Sequence, residues 1–222
     1  MNELEIGVQK IYSSCNGNAA FLRGADECIE LLNKYINEIE MFNGAYGLVS
    51  YASRTELVIK HILDSLAPLP YLQKKAVNAV KDDAVNAADI GSGAGLPGIP
   101  LAIALPHWRW TLIERGGRRY GFLLNTIAAL GLSNACAVNA DLHETKTGGF
   151  NLAVCRAFKP LDVKLCKGIK RILAPGGILA MYKGRRENIE REMSALPGTR
   201  YEVHSCSVPF LDEERHIAGI LA

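Results

Sequence analysis

The sequence has no apolar stretch long enough to cross a bilayer. Every such run is broken by glycine, proline or charge well short of the roughly 18 residues a membrane helix needs. No membrane partner is expected. Met1 to Lys10 alternates polar and apolar residues and contains no apolar core of the signal-peptide kind. There is no internal repeat and no low-complexity tract. Cys15, Cys28, Cys136, Cys155, Cys166 and Cys206 form no Cys-x-x-Cys pair and no zinc-ligand spacing. Most lie inside apolar runs, where cysteine behaves as a small hydrophobe. A reducing, cytoplasmic setting is expected, without disulfides and without a metal. The histidines His61, His107, His143, His204 and His216 show no metal spacing either. Strong charge is also missing: the net charge is +2 and the pI about 8.2. That balance identifies no partner, so only local clusters of basic residues could point to nucleic acid.

What is present is a chain of 222 residues, 49% hydrophobic and 22% charged. That suits one large domain, or one domain with a small cap, and argues against disorder. Residues 1–85 read as a helical N-terminal extension. Cys28, Leu31, Leu32, Tyr35, Ile36, Ile39 and Phe42 follow a helical period over Gly24 to Phe42. Ser53 followed by Glu56 has the pattern of a capping box, predicting a helix to about Leu66, ahead of Pro68. A third helix is expected around Tyr71 to Val80. From residue 86 to 222 short apolar runs alternate with helical patterns, the sign of a parallel α/β sheet. The strands expected are Ala87–Ile90, Trp110–Glu114, Ala135–Asn139, Leu152–Cys155, Ile178–Tyr182, Tyr201–Val208 and His216–Leu221. Helices are expected over Pro97–Leu105, Arg118–Leu130, Leu161–Leu173 and Arg186–Leu196. Pro175-Gly176-Gly177 reads as a turn.

The most informative segment is Asp89-Ile90-Gly91-Ser92-Gly93-Ala94-Gly95-Leu96-Pro97-Gly98, entered by a strand and left by a helix. Glycines here permit positive φ and close approach of a ligand to the main chain. A dinucleotide fingerprint, G-x-G-x-x-G, fails when counted from Gly91, because Leu96 takes the third glycine's place. Counted from Gly93 it is met by Gly95 and Gly98, but Pro97 then stiffens the turn where a pyrophosphate would dock. Three alternate glycines preceded by an aspartate are instead similar to motif I of S-adenosylmethionine-dependent methyltransferases. Glu114 ends the next strand, where an acid can accept hydrogen bonds from ribose hydroxyls. A solvated acid at a strand end is the plain structural alternative.

The wider pattern resembles the bacterial small-subunit (16S) ribosomal RNA guanine-N7 methyltransferases, the glucose-inhibited division protein B family. The match starts near Asn43 and includes His61-Ile62-Leu63-Asp64-Ser65-Leu66 and the run Asp89 to Leu101. It continues through Cys155-Arg156-Ala157-Phe158, Tyr182-Lys183-Gly184 and Glu214-Arg215-His216-Ile217, in order and with similar gaps. Gly-Leu-Pro-Gly-Ile-Pro is its most specific part. The resemblance implies a seven-stranded, mostly parallel sheet of the class I, Rossmann-like methyltransferase type. It also implies S-adenosylmethionine as cofactor, held by Gly91, Gly93, Leu96, Glu114, Ala140, Asp141 and Arg156. Glu114 would meet the ribose, Ala140 and Asp141 the adenine, and Arg156 the methionine end. Family members usually carry Arg-Ala-Glu where this chain has Asn139-Ala140-Asp141, which shortens the acid's reach. Met1 to Ala20 has no clear counterpart.

The residues themselves bear on the chemistry. Methyltransferases that act on amino groups carry Asn/Asp-Pro-Pro-aromatic after the fourth strand; here Cys155-Arg156-Ala157-Phe158 stands in that place. Pyrimidine C5 methylation needs a cysteine nucleophile, and Cys155 reads better as a buried strand residue. Guanine N7 is an acceptor with a free lone pair and no proton, so its methylation needs no general base, and no catalytic acid or base is assigned. Arg115, Arg118 and Arg119 form one basic cluster, and Lys183, Arg185 and Arg186 another. Both follow strand ends and could meet phosphates, and Phe158 could stack on a base. His61 and Asp64, three apart on one helix face, read as a pair in a cap or core contact, and the resemblance leaves a substrate-facing role as the alternative. The expected protein is a monomeric enzyme that methylates guanine N7 in 16S ribosomal RNA or the small ribosomal subunit. Two rivals are a small-molecule methyltransferase of the same fold and a non-catalytic ribosome-assembly factor that binds the cofactor. A nicotinamide oxidoreductase fits least.

Overall fold

A computed structural model of the chain describes residues 1–15, 22–78, 85–145, 148–156, 161–196 and 198–221. The described part of the first 85 residues is helical. Helix α1 (Glu3–Ser14) opens on a capping box in which Asn2 and Glu5 satisfy each other's backbone amides. Helix α2 (Ala25–Tyr46) runs one turn past the expected Phe42 and ends at Gly47 in the left-handed region. The helix expected after Ser53 is not uniform. It divides into α3 (Arg54–Leu57), a π-helical turn (Val58–Leu63) and α4 (Asp64–Leu66). Ser53 does cap it, accepting the amide of Glu56, but Glu56 reaches back to Ala52 rather than to Ser53. Helix α5 covers Leu69–Asn78.

The strands are β1 (Asn86–Ile90), β2 (Arg109–Glu114), β3 (Ala135–Asn139), β4 (Phe150–Arg156), β5 (Leu173–Lys183), β6 (Tyr201–Ser205) and β7 (His216–Leu221). They form one seven-stranded sheet in the order β3-β2-β1-β4-β5-β7-β6. The pairs from β3 to β5 are parallel, and β7 is antiparallel to both β5 and β6. Helices α6 (Gly98–Ala104), α7 (Gly117–Ala129), α8 (Val163–Ile172) and α9 (Arg186–Ser194) connect the strands. The expected turn at Pro175-Gly176-Gly177 lies within β5 instead. There the pairing with β4 jumps from Phe150↔Leu173 to Leu152↔Ile178. A Cβ on Gly177 would stand 2.7 Å from the Phe150 carbonyl, so the bulge requires a glycine there.

Strand alternation sorts the side chains onto two faces. Ala87, Leu112, Leu152, Val154, Ala180 and Ile217 face one core, shared with α1, α2 and the segment from α3 to α5. Ala88, Ile113, Ala153, Cys155, Met181 and Ala218 face the other, packed on α8 and α9. The same alternation turns Asp89, Glu114, Arg156 and Tyr182 toward the N-terminal helices, each in step with an apolar neighbour two residues before it.

Candidate functional site

The order of the sheet reverses between β1 and β4, and open α/β sheets bind ligands beyond the carboxyl ends of their strands at such a switch. The loop after β1 stands there. Gly91, Gly93 and Gly95 have φ of 70°, 58° and 89°, the left-handed region that only glycine enters freely. Gly98 is required for packing: a Cβ would stand 2.3 Å from Leu112 and 2.7 Å from the Asp89 carboxylate. Asp89 anchors the turn by accepting the Gly98 amide at 2.9 Å. Its other oxygen is buried without a partner, and burial pushes its carboxyl up to about 7. A contact from the helical extension holds the loop from below. The fully buried Tyr35 of α2 donates its hydroxyl to the Ala94 carbonyl at 2.7 Å.

Glu114, at the end of β2, accepts the Gly93 amide at 2.9 Å and the Gly116 amide at 2.7 Å. This decides what the loop can hold. In a phosphate-binding loop the amides face an anion; here the central amide is taken by a buried carboxylate, which would repel a pyrophosphate. A carboxylate so placed still has lone pairs for hydroxyl donors, as a ribose requires. A cavity of about 360 Å³ opens beside it, walled by Gly91, Glu114, Ala140, Asp141 and Arg156 among others. Five of the seven residues expected at the cofactor thus stand on one cavity wall. Gly93 lies behind, bonded to Glu114. Leu96 is buried in the core under the loop and forms no part of that wall. Asp141 accepts the His143 amide and lies 3.6 Å from Arg115.

Arg156 ends β4 and belongs also to the wall of a second cavity, of about 170 Å³, with Asp64, Tyr182, Arg215 and His216. Its guanidinium donates to the Lys60 and His61 carbonyls, to Asp64 at 3.0 Å and to His61 Nδ1 at 3.0 Å. Asp64 also receives Arg215 Nε at 2.9 Å. His61 and Asp64 therefore do not pair with each other; both converge on Arg156. Because arginine only donates, His61 Nδ1 must accept, and its Nε2 proton goes to the Ser50 carbonyl at 3.1 Å. Burial and the Arg156 charge hold the His61 pKa below the usual imidazole range. The π-helical turn supplies both carbonyls and His61, and such turns are frequent at functional sites. Sequence spacing does not reveal this cluster, since Arg156 and Arg215 lie 92 and 151 residues from Asp64.

The basic clusters divide. Arg118 and Arg119 are exposed on α7, and Arg119 reaches the larger cavity. Arg185 is exposed, and Arg186 is exposed with Glu190 at 3.7 Å. Lys183 is half-buried and donates to both oxygens of Glu192, at 2.9 and 2.7 Å. Phe158 lies outside the described residues. Cys155 faces the core on the far side of the sheet, and burial pushes its thiol up to about 12, which removes it as a nucleophile. Among the described residues no cluster of three potential metal ligands occurs, and no helix is long and apolar enough to cross a membrane.

The chain is similar to known proteins in sequence and in fold. A family model described as rRNA small subunit methyltransferase G matches residues 28–218. The chain is 38% identical over 202 residues to a ribosomal RNA small subunit methyltransferase G of Treponema pallidum, covering 89% of this chain and 87% of that protein. It is 34% identical over 223 residues to one of Xanthomonas campestris, covering 99% of each. In fold it is similar to a SAM dependent methyltransferase from Aquifex aeolicus, with TM-score 0.52 and 13% identity over 72% of this chain and 97% of that one.

Proposed function

The chain belongs to the rRNA small subunit methyltransferase G family, and we propose that it moves a methyl group from S-adenosylmethionine to N7 of a guanine in small-subunit ribosomal RNA. When bound, the cofactor supplies an electrophilic methyl group on sulfur. The chain's own residues bind and orient. Glu114 accepts ribose hydroxyls while the Gly93 and Gly116 amides hold its carboxylate in place. Gly91 lets the main chain approach the ligand, and Ala140 and Asp141 border the adenine. Arg156, fixed by four bonds to the π-helical turn and Asp64, meets the methionine carboxylate. Leu96 supports the loop from the core. Arg118, Arg119, Arg185 and Arg186 are placed to meet RNA phosphates, which are recognised by charge alone. Lys183 serves structure first, because its charge is held by Glu192.

The observation that carries the choice of acceptor atom is the state of the acids. Each carboxylate that lines either cavity already receives donors. Glu114 holds two amides, Asp64 two arginines, and Asp141 the His143 amide with Arg115 close by. These acids hold main-chain amides and arginines in place, a positioning role, and N7 has no proton to remove. Rate enhancement then comes from alignment of the two reactants, worth up to ~7–11 kcal/mol in favourable cases.

The test is incubation of the purified chain with S-adenosylmethionine and small ribosomal subunits or their RNA, followed by mass spectrometry of the nucleosides. 7-Methylguanosine is expected. A methyl group on another position, or transfer only to small acceptors, would contradict the reading.

A further inference from the structure

We propose that the second cavity receives the target guanine, and that Asp64 reads its Watson–Crick edge. This inference rests on the N7 reading above and assigns the residue that selects the base. The two cavities share Arg156 as a common wall, one at the ends of β1, β2 and β3, the other at the ends of β4 and β5 and the start of β7. A methyl group leaving the first must cross beside Arg156 into the second. A guanine presenting N7 to that boundary has its N1–H and N2–H₂ on the opposite side of the ring, inside the second cavity.

Those two groups are adjacent donors, and a carboxylate is their complement. Asp64 is the acid in that wall, only 7% exposed. Arg156 occupies one position on Oδ2 and Arg215 one position on Oδ1. A carboxylate offers about four lone-pair sites, so each oxygen keeps one for the base. The two arginines fix the plane of the carboxylate before any base arrives, so little ordering remains to oppose binding. The neighbouring groups offer less. Tyr182 donates its hydroxyl to the Ser65 carbonyl at 2.8 Å and His216 donates Nδ1–H to the Gly184 carbonyl at 2.7 Å, so each keeps only a single neutral acceptor, the hydroxyl oxygen and Nε2, and neither presents the adjacent pair of charged acceptors that N1–H and N2–H₂ match. Adenine is rejected by the same device, because its N1 lone pair would face the carboxylate where guanine has a proton.

The experiment compares RNA carrying guanosine or inosine at the methylated position. Inosine keeps N7, O6 and N1–H and lacks only the N2 amino group. With the wild-type chain, inosine is expected to lower kcat/KM for methyl transfer about 10- to 100-fold, the loss of one hydrogen bond to a charged acceptor. In Asp64→Asn the two RNAs are expected to react alike, while calorimetry still detects S-adenosylmethionine. Where Asp64→Asn fails to fold, Asp64→Glu keeps the charge between the arginines, moves the oxygens by one methylene and is expected to shrink the guanosine preference. Equal rates for the two RNAs with the wild type would overturn the inference. So would a preference that survives unchanged in a folded Asp64 variant. Absence of 7-methylguanosine from the guanosine RNA would instead overturn the underlying reading, and the inference with it.

Discussion

Tyr35→Phe isolates the contact between the helical extension and the glycine loop. The substitution keeps the ring in its fully buried position in α2 and removes only the hydroxyl that donates to the Ala94 carbonyl at 2.7 Å. A buried carbonyl left without its donor costs ~1–3 kcal/mol. For a chain of this length each kcal/mol lowers the melting temperature by roughly 2–4 °C, so a fall of about 2–12 °C is expected. The loop is also expected to spend less time in the geometry that Gly91, Gly93 and Gly95 impose. Affinity falls with the fraction of binding-competent chains, and a weakening of about 3- to 10-fold is expected for S-adenosylmethionine. Thermal melting and isothermal calorimetry read the two effects. Tyr201→Phe, on the exposed side chain of β6, is the control and is expected to stay within about 0.5 kcal/mol of the wild type. If Tyr35→Phe matched that control in both measurements, the claim that α2 supports the cofactor loop would be wrong.

Two further predictions concern the acids of the loop. Glu114→Gln replaces one acceptor oxygen with a donor, so it cannot hold both the Gly93 and Gly116 amides and still meet a ribose diol; calorimetry is expected to show S-adenosylmethionine affinity lowered about 10- to 100-fold, and unchanged affinity would contradict its role. Asp89 has a folded-state pKa of about 7 against an ordinary 3.8. Its neutral form is the favoured one in the fold, so the stability it permits is fully present below about pH 4 and is lost as pH rises through about 7. Asp89→Asn keeps an oxygen for the Gly98 amide and does not titrate. Its melting temperature relative to the wild type is expected to climb between about pH 4 and 7, and a constant difference would refute the assignment.

Much of the fold is legible in the sequence because local signals suffice. Apolar runs such as Trp110–Glu114 and Leu152–Cys155 are buried strands that their composition alone marks, and Gly131, just past α7, follows that helix at positive φ. The glycine loop is legible because it must be glycine at Gly91, Gly93 and Gly95. The π-helical turn is hidden, since one residue wound into a wider turn barely disturbs a helical period. The bulge in β5 is hidden behind Pro175-Gly176-Gly177, whose turn chemistry is the same in a bulge as in a chain reversal. The Arg156–Asp64–Arg215 cluster is hidden most deeply, because only the sheet order brings β4, β7 and α4 together. The pairing of Lys183 with Glu192 likewise depends on how α9 packs, and it removes a lysine that spacing alone would give to RNA.

If the acceptor is a guanine ring nitrogen that needs no proton transfer, small-subunit RNA carrying 7-deazaguanosine at the methylated position, in which carbon replaces N7 and the remaining hydrogen-bonding edge is intact, cannot be a substrate. With S-adenosylmethionine and the purified chain, guanosine RNA is expected to gain one methyl group at that position and the 7-deaza RNA none. Equal methylation of both would contradict the account.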